Sequence, residues 1–214
     1  MDKLTIDQIP EMFEEVAKVF AEKKDELCAM DAAMGDGDLG LTMSKGYGAL
    51  PGFLRETAAE GEIGKQLMKA AMKMQNEVPS TMGTLMSSGI MAAGKALKGK
   101  TELVPADLAV YVTAFAEGIQ KRGKCNLGDR TILDSVDAGA KKAAAAVEAN
   151  PEASFADVIG AAVQGAAEGV EATKDMVPRF GKAAVHAAKA KGVADQGALA
   201  GYYMLLGLKN YLAA

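Results

Sequence analysis

Apolar residues recur along this chain at three- and four-residue spacing, and that regularity restricts it to helices. Between Thr5 and Cys28, the residues Ile9, Met12, Phe13, Val16 and Phe20 fall on one face of a 3.6-residue period. Thr5 followed by Gln8 fits a capping box at the start of this helix. The pattern returns over 42–57, with a break near Pro51, and again over 61–75 and 81–98. Beyond Pro105, Leu108, Tyr111, Val112, Phe115 and Ile119 share a face that ends at Arg122, before Gly123. Further helices are expected over 130–149, 154–175, 178–190 and 197–212. Runs of β-branched residues are scarce, Trp is absent, and Ala, Gly, Met and Leu supply the bulk, a mix that lets helices pack closely through small side chains. The expected class is all-α, a bundle of about eight antiparallel amphipathic helices whose short loops make consecutive helices neighbours.

The 214 residues suffice for one large domain, no linker divides them, and 1–214 reads as a single unit. A formal charge of −4 weighs against a nucleic-acid partner. The most apolar stretch, GALAGYYMLLGL from Gly197, is 12 residues long, short of the roughly 18 that a membrane span requires, so no membrane association is expected. Cys28 and Cys125 form no C-x-x-C pair and no signal peptide is visible, which makes the cytoplasm the expected compartment. The 13 methionines read as adaptable core filler, except Met30, Met34 and Met82, which fall close to the loops considered next.

Against the helical background the stretch MDAAMGDGDLGLT, residues 30–42, gathers Asp31, Asp36 and Asp38. Carboxylates a few ångströms apart repel one another, and a cation removes the conflict. An EF-hand is excluded, because counting from Asp36 puts Gly40 at its fifth position and Tyr47 at its twelfth, and counting from Asp31 puts Ala33 at its third. Magnesium asks for fewer protein ligands and completes its shell with water and substrate phosphates, so the spacing favours Mg²⁺ with a phosphate. The competing reading is a pair of Asx turns with solvated acids. Zinc fits poorly in a chain with one histidine, His186, which reads as a helix-surface or core residue rather than a catalytic base.

Three more loops, NEVPSTMG, GKCNLGDRT and KGVADQG, carry acids, glycines and hydroxyls. PSTMGTLMSSG offers amides and hydroxyls at a helix N-terminus, where an anion is favoured, and reads equally as a plain N-cap. KRGKCNLGDRT reads either as a neighbour of a nucleotide or as a charged turn. If the Pro51 break is a kink within one helix, the first three loops emerge at one end of the bundle. The last joins them only on a different count of the final helices. No G-x-x-x-x-G-K-[ST] motif is present, which excludes a P-loop kinase.

With these segments in view, the whole chain resembles the nucleotide-binding L subunit of dihydroxyacetone kinase, the DAK2 domain. That family's signature, an Asp, four residues, then Asp-x-Asp-His-Gly-x-Asn, is met by Asp31, Asp36, Asp38 and Gly40. GIQKRGKCNLGDRT resembles its second motif, through Gly123, Lys124, Gly128, Asp129 and Thr131. FGKAAV and ADQGA resemble its C-terminal nucleotide loop, with Lys182 where an Arg is usual and Asp195, Gly197 and Ala198 in register.

The resemblance implies a barrel of eight antiparallel helices with ADP or ATP at one end and two Mg²⁺ held by Asp31, Asp36 and Asp38. It implies that Leu39, Gly40, Leu41 and Thr42 continue along the phosphates, that Thr81 and Met82 meet them, and that Gly123 and Ile132 lie near the base. Lys182 with Asp195, Gln196 and Gly197 would close the site. The implied activity is phosphorylation of dihydroxyacetone or a related small ketose, with a separate K subunit holding the sugar. A phosphotransferase-system protein is a candidate phosphoryl donor, towards which the lack of a fused partner domain leans. Departures from the family are Leu39 for its His, Thr42 for its Asn, and Pro79, Ser80, Thr81, Met82 and Gly83 for its Gly-Gly-x-Ser-Gly loop. Leucine offers no ring nitrogen, threonine one hydroxyl in place of an amide, and lysine lacks the bidentate fork of arginine. These changes keep a second reading in play, a non-catalytic nucleotide-sensing module that regulates a partner protein, against which the intact aspartate trio counts. The sequence leaves open whether the chain forms a homodimer.

Overall fold

The computed structural model describes residues 2–214 apart from the His186 side chain, so the expectation for His186 lies outside the described residues. The chain is all-α. Its helices are α1 (Gln8–Glu22), α2 (Lys24–Met34), α3 (Leu39–Thr57), α4 (Ile63–Glu77), α5 (Thr81–Ala96), α6 (Pro105–Gly123), α7 (Ile132–Ala149), α8 (Phe155–Ala172), the short α9 (Ala187–Ala190) and α10 (Gln196–Leu212). Two-residue strands β1 (Leu4–Thr5) and β2 (Glu102–Leu103) pair antiparallel, with Leu4 opposite Leu103.

Ten helices stand among the described residues where nine stretches were expected for a bundle of about eight, because the first stretch divides, and one later stretch is largely irregular. The first expected helix is interrupted at Lys23, with φ −94° and ψ 5°, and α2 follows it and runs on to Met34. The helix expected over 178–190 is irregular to Gly181, whose φ of 64° is left-handed, then a 3₁₀ turn over Lys182–His186 before α9. Pro51, expected to break its helix, lies buried inside a continuous α3. The capping box at Thr5 forms by half: the Thr5 N–H donates to Gln8 Oε1 at 2.9 Å, and the Thr5 hydroxyl donates to the same oxygen at 3.0 Å instead of accepting from the helix.

Each long helix packs on the next, in the order α1, α3, α4, α5, α6, α7, α8, α10, and α10 lies back against α1. The shared core holds Phe13, Phe20, Tyr47, Phe115 and Phe155, with Phe20 stacked on Tyr47 at a ring separation of 4.6 Å. Glycines permit the close approaches: a Cβ on Gly64 of α4 would come within 2.6 Å of the Gly94 carbonyl of α5. None of the helices is long and apolar enough to cross a membrane, among the described residues.

Candidate functional site

Four stretches of chain enclose one cavity of about 530 Å³: the turn 35–38, the turn before α5, the turn 124–131 and the segment 173–195 between α8 and α10. The N-termini of α3, α5, α7 and α10 all line it. Because α3, α5 and α7 begin at this cavity, successive helices run up and down, and their turns cluster at one end. The last stretch joins the other three because no full-length helix lies between α8 and α10, only short turns and the four-residue α9, so the chain leaves α8 and enters α10 at the same end.

The acid turn is organised by one of its own carboxylates. Asp31 is not in a loop, as the sequence reading had it, but in the last turn of α2, where it is 8% exposed. Its Oδ2 accepts the N–H groups of Gly37 at 2.9 Å, Asp38 at 3.1 Å and Leu39 at 3.4 Å. Gly37 adopts φ 80°, which lets the chain fold back over the end of α2. Asp31 thereby caps the start of α3. Its other oxygen, Oδ1, accepts from Gln196 Nε2 at 3.2 Å, tying the turn to α10. Asp36 and Asp38 are exposed, and one carboxylate oxygen from each of Asp31, Asp36 and Asp38 lies within 4.8 Å of the others. Three hard oxygen donors at that separation fit a dication of the magnesium type. Lys182 Nζ already meets Asp36 Oδ2 at 2.5 Å, and this hydrogen bond holds the Asp36 carboxyl below its ordinary value.

At α5, Ser80 Oγ accepts the Gly83 N–H at 3.0 Å, while the amides of Thr81 and Met82 belong to the first turn, which has no intrahelical acceptor. The 124–131 turn contains three left-handed residues, Lys124 at φ 52°, Gly128 at φ 87° and Arg130 at φ 59°. Asp134 stitches it to α7, accepting the Gly128 N–H at 2.6 Å and the Thr131 N–H at 2.7 Å. Arg130 donates to Asp195 Oδ1 at 3.3 Å and to the Val193 carbonyl at 3.0 Å, with its side chain 0% exposed. Asp195 caps α10 through the Ala198 N–H at 2.8 Å.

Of the residues singled out from sequence, Asp31, Asp36, Asp38, Leu39 and Thr42 line the cavity from the acid turn and α3. Thr81 and Met82 line it from α5, Ile132 from α7, and Lys182, Asp195, Gln196 and Gly197 from the closing side. Gly40, Leu41 and Gly123 are not among its lining residues. Gly40 is buried against the start of α2, Leu41 is 57% exposed, and Gly123 packs near Leu85 and Cys125. Met34 joins Met82 in the lining, whereas Met30 does not. Sequence reasoning missed Arg130, whose only signal was an arginine beside Asp129 in a glycine turn, and it missed Leu85 and Phe180, which add apolar wall.

Burial gives Asp195 a pH signature. Desolvation pushes its carboxyl up from 3.8 to about 6, against the lowering pull of the Ala198 amide and Arg130. The folded state therefore binds this proton more tightly than the unfolded chain, so the Asp195 contribution to stability falls as pH rises from about 4 to about 6 and stays low above that. A shift of this size corresponds to about 3 kcal/mol. We expect the pH slope of Tm over that interval to flatten in an Arg130→Met/Asp195→Asn variant, which removes both buried charges. An unchanged slope in thermal melts would place the titration elsewhere.

The residue 33–210 stretch matches the family model described as the DAK2 domain. Triokinase/FMN cyclase of Bos taurus is 33% identical over 189 residues, which are 88% of this chain and 32% of that protein. The ADP-binding subunit DhaL of the PTS-dependent dihydroxyacetone kinase of Lactococcus lactis is 31% identical over 131 residues, 61% of this chain and 65% of that subunit. The chain thus spans about a third of the length of the mammalian relative. The crystal structure of dihydroxyacetone kinase from C. freundii in complex with AMP-PNP and Mg²⁺ superposes with a TM-score of 0.67 at 23% identity, covering 94% of this chain and 33% of that one. A family match across most of the sequence, with Asp36, Asp38, the 124–131 turn and the start of α10 inside it, means that the chain belongs to the DAK2 domain family.

Proposed function

We propose that the chain is the nucleotide-binding domain of a phosphotransferase, taking ADP or ATP with two Mg²⁺ and acting on dihydroxyacetone or a related small ketose. The observation that carries this reading is the meeting of four helix N-termini and three clustered carboxylates on one cavity of about 530 Å³. Helix N-termini favour anions, and a polyphosphate brings several. The caps divide the labour. The amides at α3, α7 and α10 are partly satisfied by the carboxylates of Asp31, Asp134 and Asp195, whereas α5 is capped by the neutral Ser80. The α5 amides of Thr81 and Met82 are then the preferred seat for phosphate oxygens, and the acid turn faces them with the metal ligands. Met34, Leu85, Ile132 and Phe180 give apolar wall for the base.

Asp31, Asp36 and Asp38 would hold the magnesium, which when bound neutralises phosphate charge and fixes the leaving oxygens. The protein's own part is positioning: amides and Lys182 orient the phosphates, and apolar walls exclude water. In this reading Asp31 is committed to turn amides, Asp36 to Lys182 and Asp195 to Arg130 and its cap, while Asp38, the fourth carboxylate of the cavity, is committed to the metal. That commitment supports placing the sugar, and the base that activates its hydroxyl, on a separate K-type subunit. The phosphoryl source is ATP directly or a phosphotransferase-system donor that recharges bound ADP, and the compartment is the cytoplasm. The kinase-subunit names of the relatives favour catalysis over a purely sensing role.

Calorimetric titration with ADP and ATP, with and without Mg²⁺, tests the reading. Binding should require Mg²⁺ and weaken at least tenfold in Asp36→Ala/Asp38→Ala. If the wild-type chain binds neither nucleotide after copurified ADP is stripped, the proposal fails. If nucleotide binds yet no sugar phosphate forms with any K-type partner, the sensing role replaces catalysis.

A further inference from the structure

The segment between α8 and α10 brings Phe180, Lys182 and Ala183 to the cavity, and two adjacent residues of the 124–131 turn hold it. Asp129 receives the Arg179 N–H on its carbonyl at 3.2 Å and Arg179 Nε on Oδ1 at 3.3 Å. Arg130 grips the other end through the Val193 carbonyl and Asp195. The Gly192 N–H donates to the Lys174 carbonyl at 2.9 Å, which draws the two ends of the segment together. On the opposite side, Lys182 meets Asp36, with both side chains more than half exposed at 61% and 53%. Such a pair in water fixes little. The placement of Lys182 therefore follows from how the segment is anchored, at Asp129 beside Arg179 and, on the fully buried side, at Arg130 beside Val193 and Asp195.

Arg130 carries features that stability alone does not explain. Its backbone is left-handed at φ 59° without being glycine. Its guanidinium is fully buried, and Nε is buried with no acceptor among the described residues. Burying that charge carries a desolvation penalty that a single carboxylate partner only partly offsets. An apolar side chain would fill the volume more cheaply, yet would leave the Val193 carbonyl and Asp195 unheld.

We propose that Arg130 is a positioning residue: from the α6–α7 turn it fixes the Val193–Asp195 turn, and so sets where Lys182 and the first residue of α10, Gln196, meet the ligand. Gln196 in turn holds Asp31 Oδ1, so the chain of contacts from Arg130 ends at the acid turn. The inference rests on the nucleotide reading above for what Lys182 touches, and on the geometry alone for how Lys182 is held.

A double-mutant cycle tests it on the full chain. The background variant is Arg130→Met/Asp195→Asn, which removes both buried charges while asparagine keeps the helix cap. Lys182→Met is made in the wild type and in that background, and Mg²⁺-dependent ADP affinity is measured by calorimetry. Residues that do not touch give additive effects unless one positions the other. The expected loss on Lys182→Met is about tenfold in the wild type and less than about twofold in the background variant. Equal losses in both backgrounds overturn the proposal, since a purely structural Arg130 would leave the Lys182 effect intact. Hydrogen exchange without ligand supplies the second arm. Amides of 180–186 and 193–198 should exchange at least tenfold faster in the background variant while those of α4 and α5 stay unchanged, and unchanged exchange at 193–198 also overturns it. If the wild type binds no ADP, the nucleotide reading falls, and the exchange data alone decide whether Arg130 holds the segment.

Discussion

Replacing Asp31 with alanine is expected to abolish Mg²⁺-dependent nucleotide binding, by more than about a hundredfold, and to destabilise the chain by about 2–3 kcal/mol, since hydrogen bonds to a charged acceptor are worth about 1.5–3 kcal/mol each and these share one oxygen. Both effects have one origin. Asp31 Oδ2 receives the amides of Gly37, Asp38 and Leu39, so its removal releases the turn that aims Asp36 and Asp38, along with the N-terminal cap of α3. Asp36→Ala behaves differently, because that side chain is exposed and its partner is the exposed end of Lys182: binding should weaken while Tm stays close to the wild-type value. Asp31→Asn separates the two roles of Asp31. Its amide oxygen still accepts from the turn amides, so the fold should survive, while the loss of charge should still weaken Mg²⁺ binding by at least about tenfold, the usual scale for a lost charge-assisted ligand. Calorimetry and thermal melts on the three variants decide it. If Asp31→Ala melts with the wild type, the carboxylate does not organise the turn.

The helical class was readable because apolar spacing reports helical period directly, and the residues named on the first and sixth helices are buried: Ile9, Phe13, Val16 and Phe20 on α1, Val112, Phe115 and Ile119 on α6. The acids were readable as a cluster because they are close in sequence as well as in space. What escaped was tertiary. Nothing near Lys23 signals a break, because the turn there stays close to helical geometry, and the Leu27 N–H still bonds to the Lys23 carbonyl. The segment 178–190 has helix-forming composition, but Phe180 and Ala183 line the cavity, Ala183 and Ala190 cluster with Met34 of α2, and Val185 is left 82% exposed, so no continuous helix face is buried. Arg130 looked like one more base in a charged turn, and burial of an arginine cannot be read from its neighbours in sequence. The position of Asp31 at a helix end, facing amides six to eight residues on, depends on where α2 stops, which the apolar pattern put six residues too early.

Gly40 shows how a residue can sit in a ligand signature for a packing reason. A Cβ built on it would lie 1.9 Å from the Lys24 carbonyl oxygen and 2.8 Å from Cys28 Sγ, so the start of α3 rests directly on the first turns of α2. The obstructing atom is backbone, which no rotamer change can move aside. Gly40→Ala must push the two helices apart, and because α3 begins at Leu39, that shift also strains the hydrogen bonds from Asp31 to the turn. We expect a loss of at least about 3 kcal/mol, the upper part of the usual range for overpacking. For a domain of this size, that lowers Tm by about 6–12 °C. Gly48, in the same helix, is the control. A Cβ there meets nothing within 4 Å, so Gly48→Ala should stabilise by about 0.5–1 kcal/mol through helix propensity alone. The two alanines therefore move Tm in opposite directions if contact with α2 is what requires glycine at 40. A Gly40→Ala chain that melts with the wild type yet no longer binds Mg²⁺ and ADP would reverse that conclusion, making the requirement one of phosphate approach instead of helix packing.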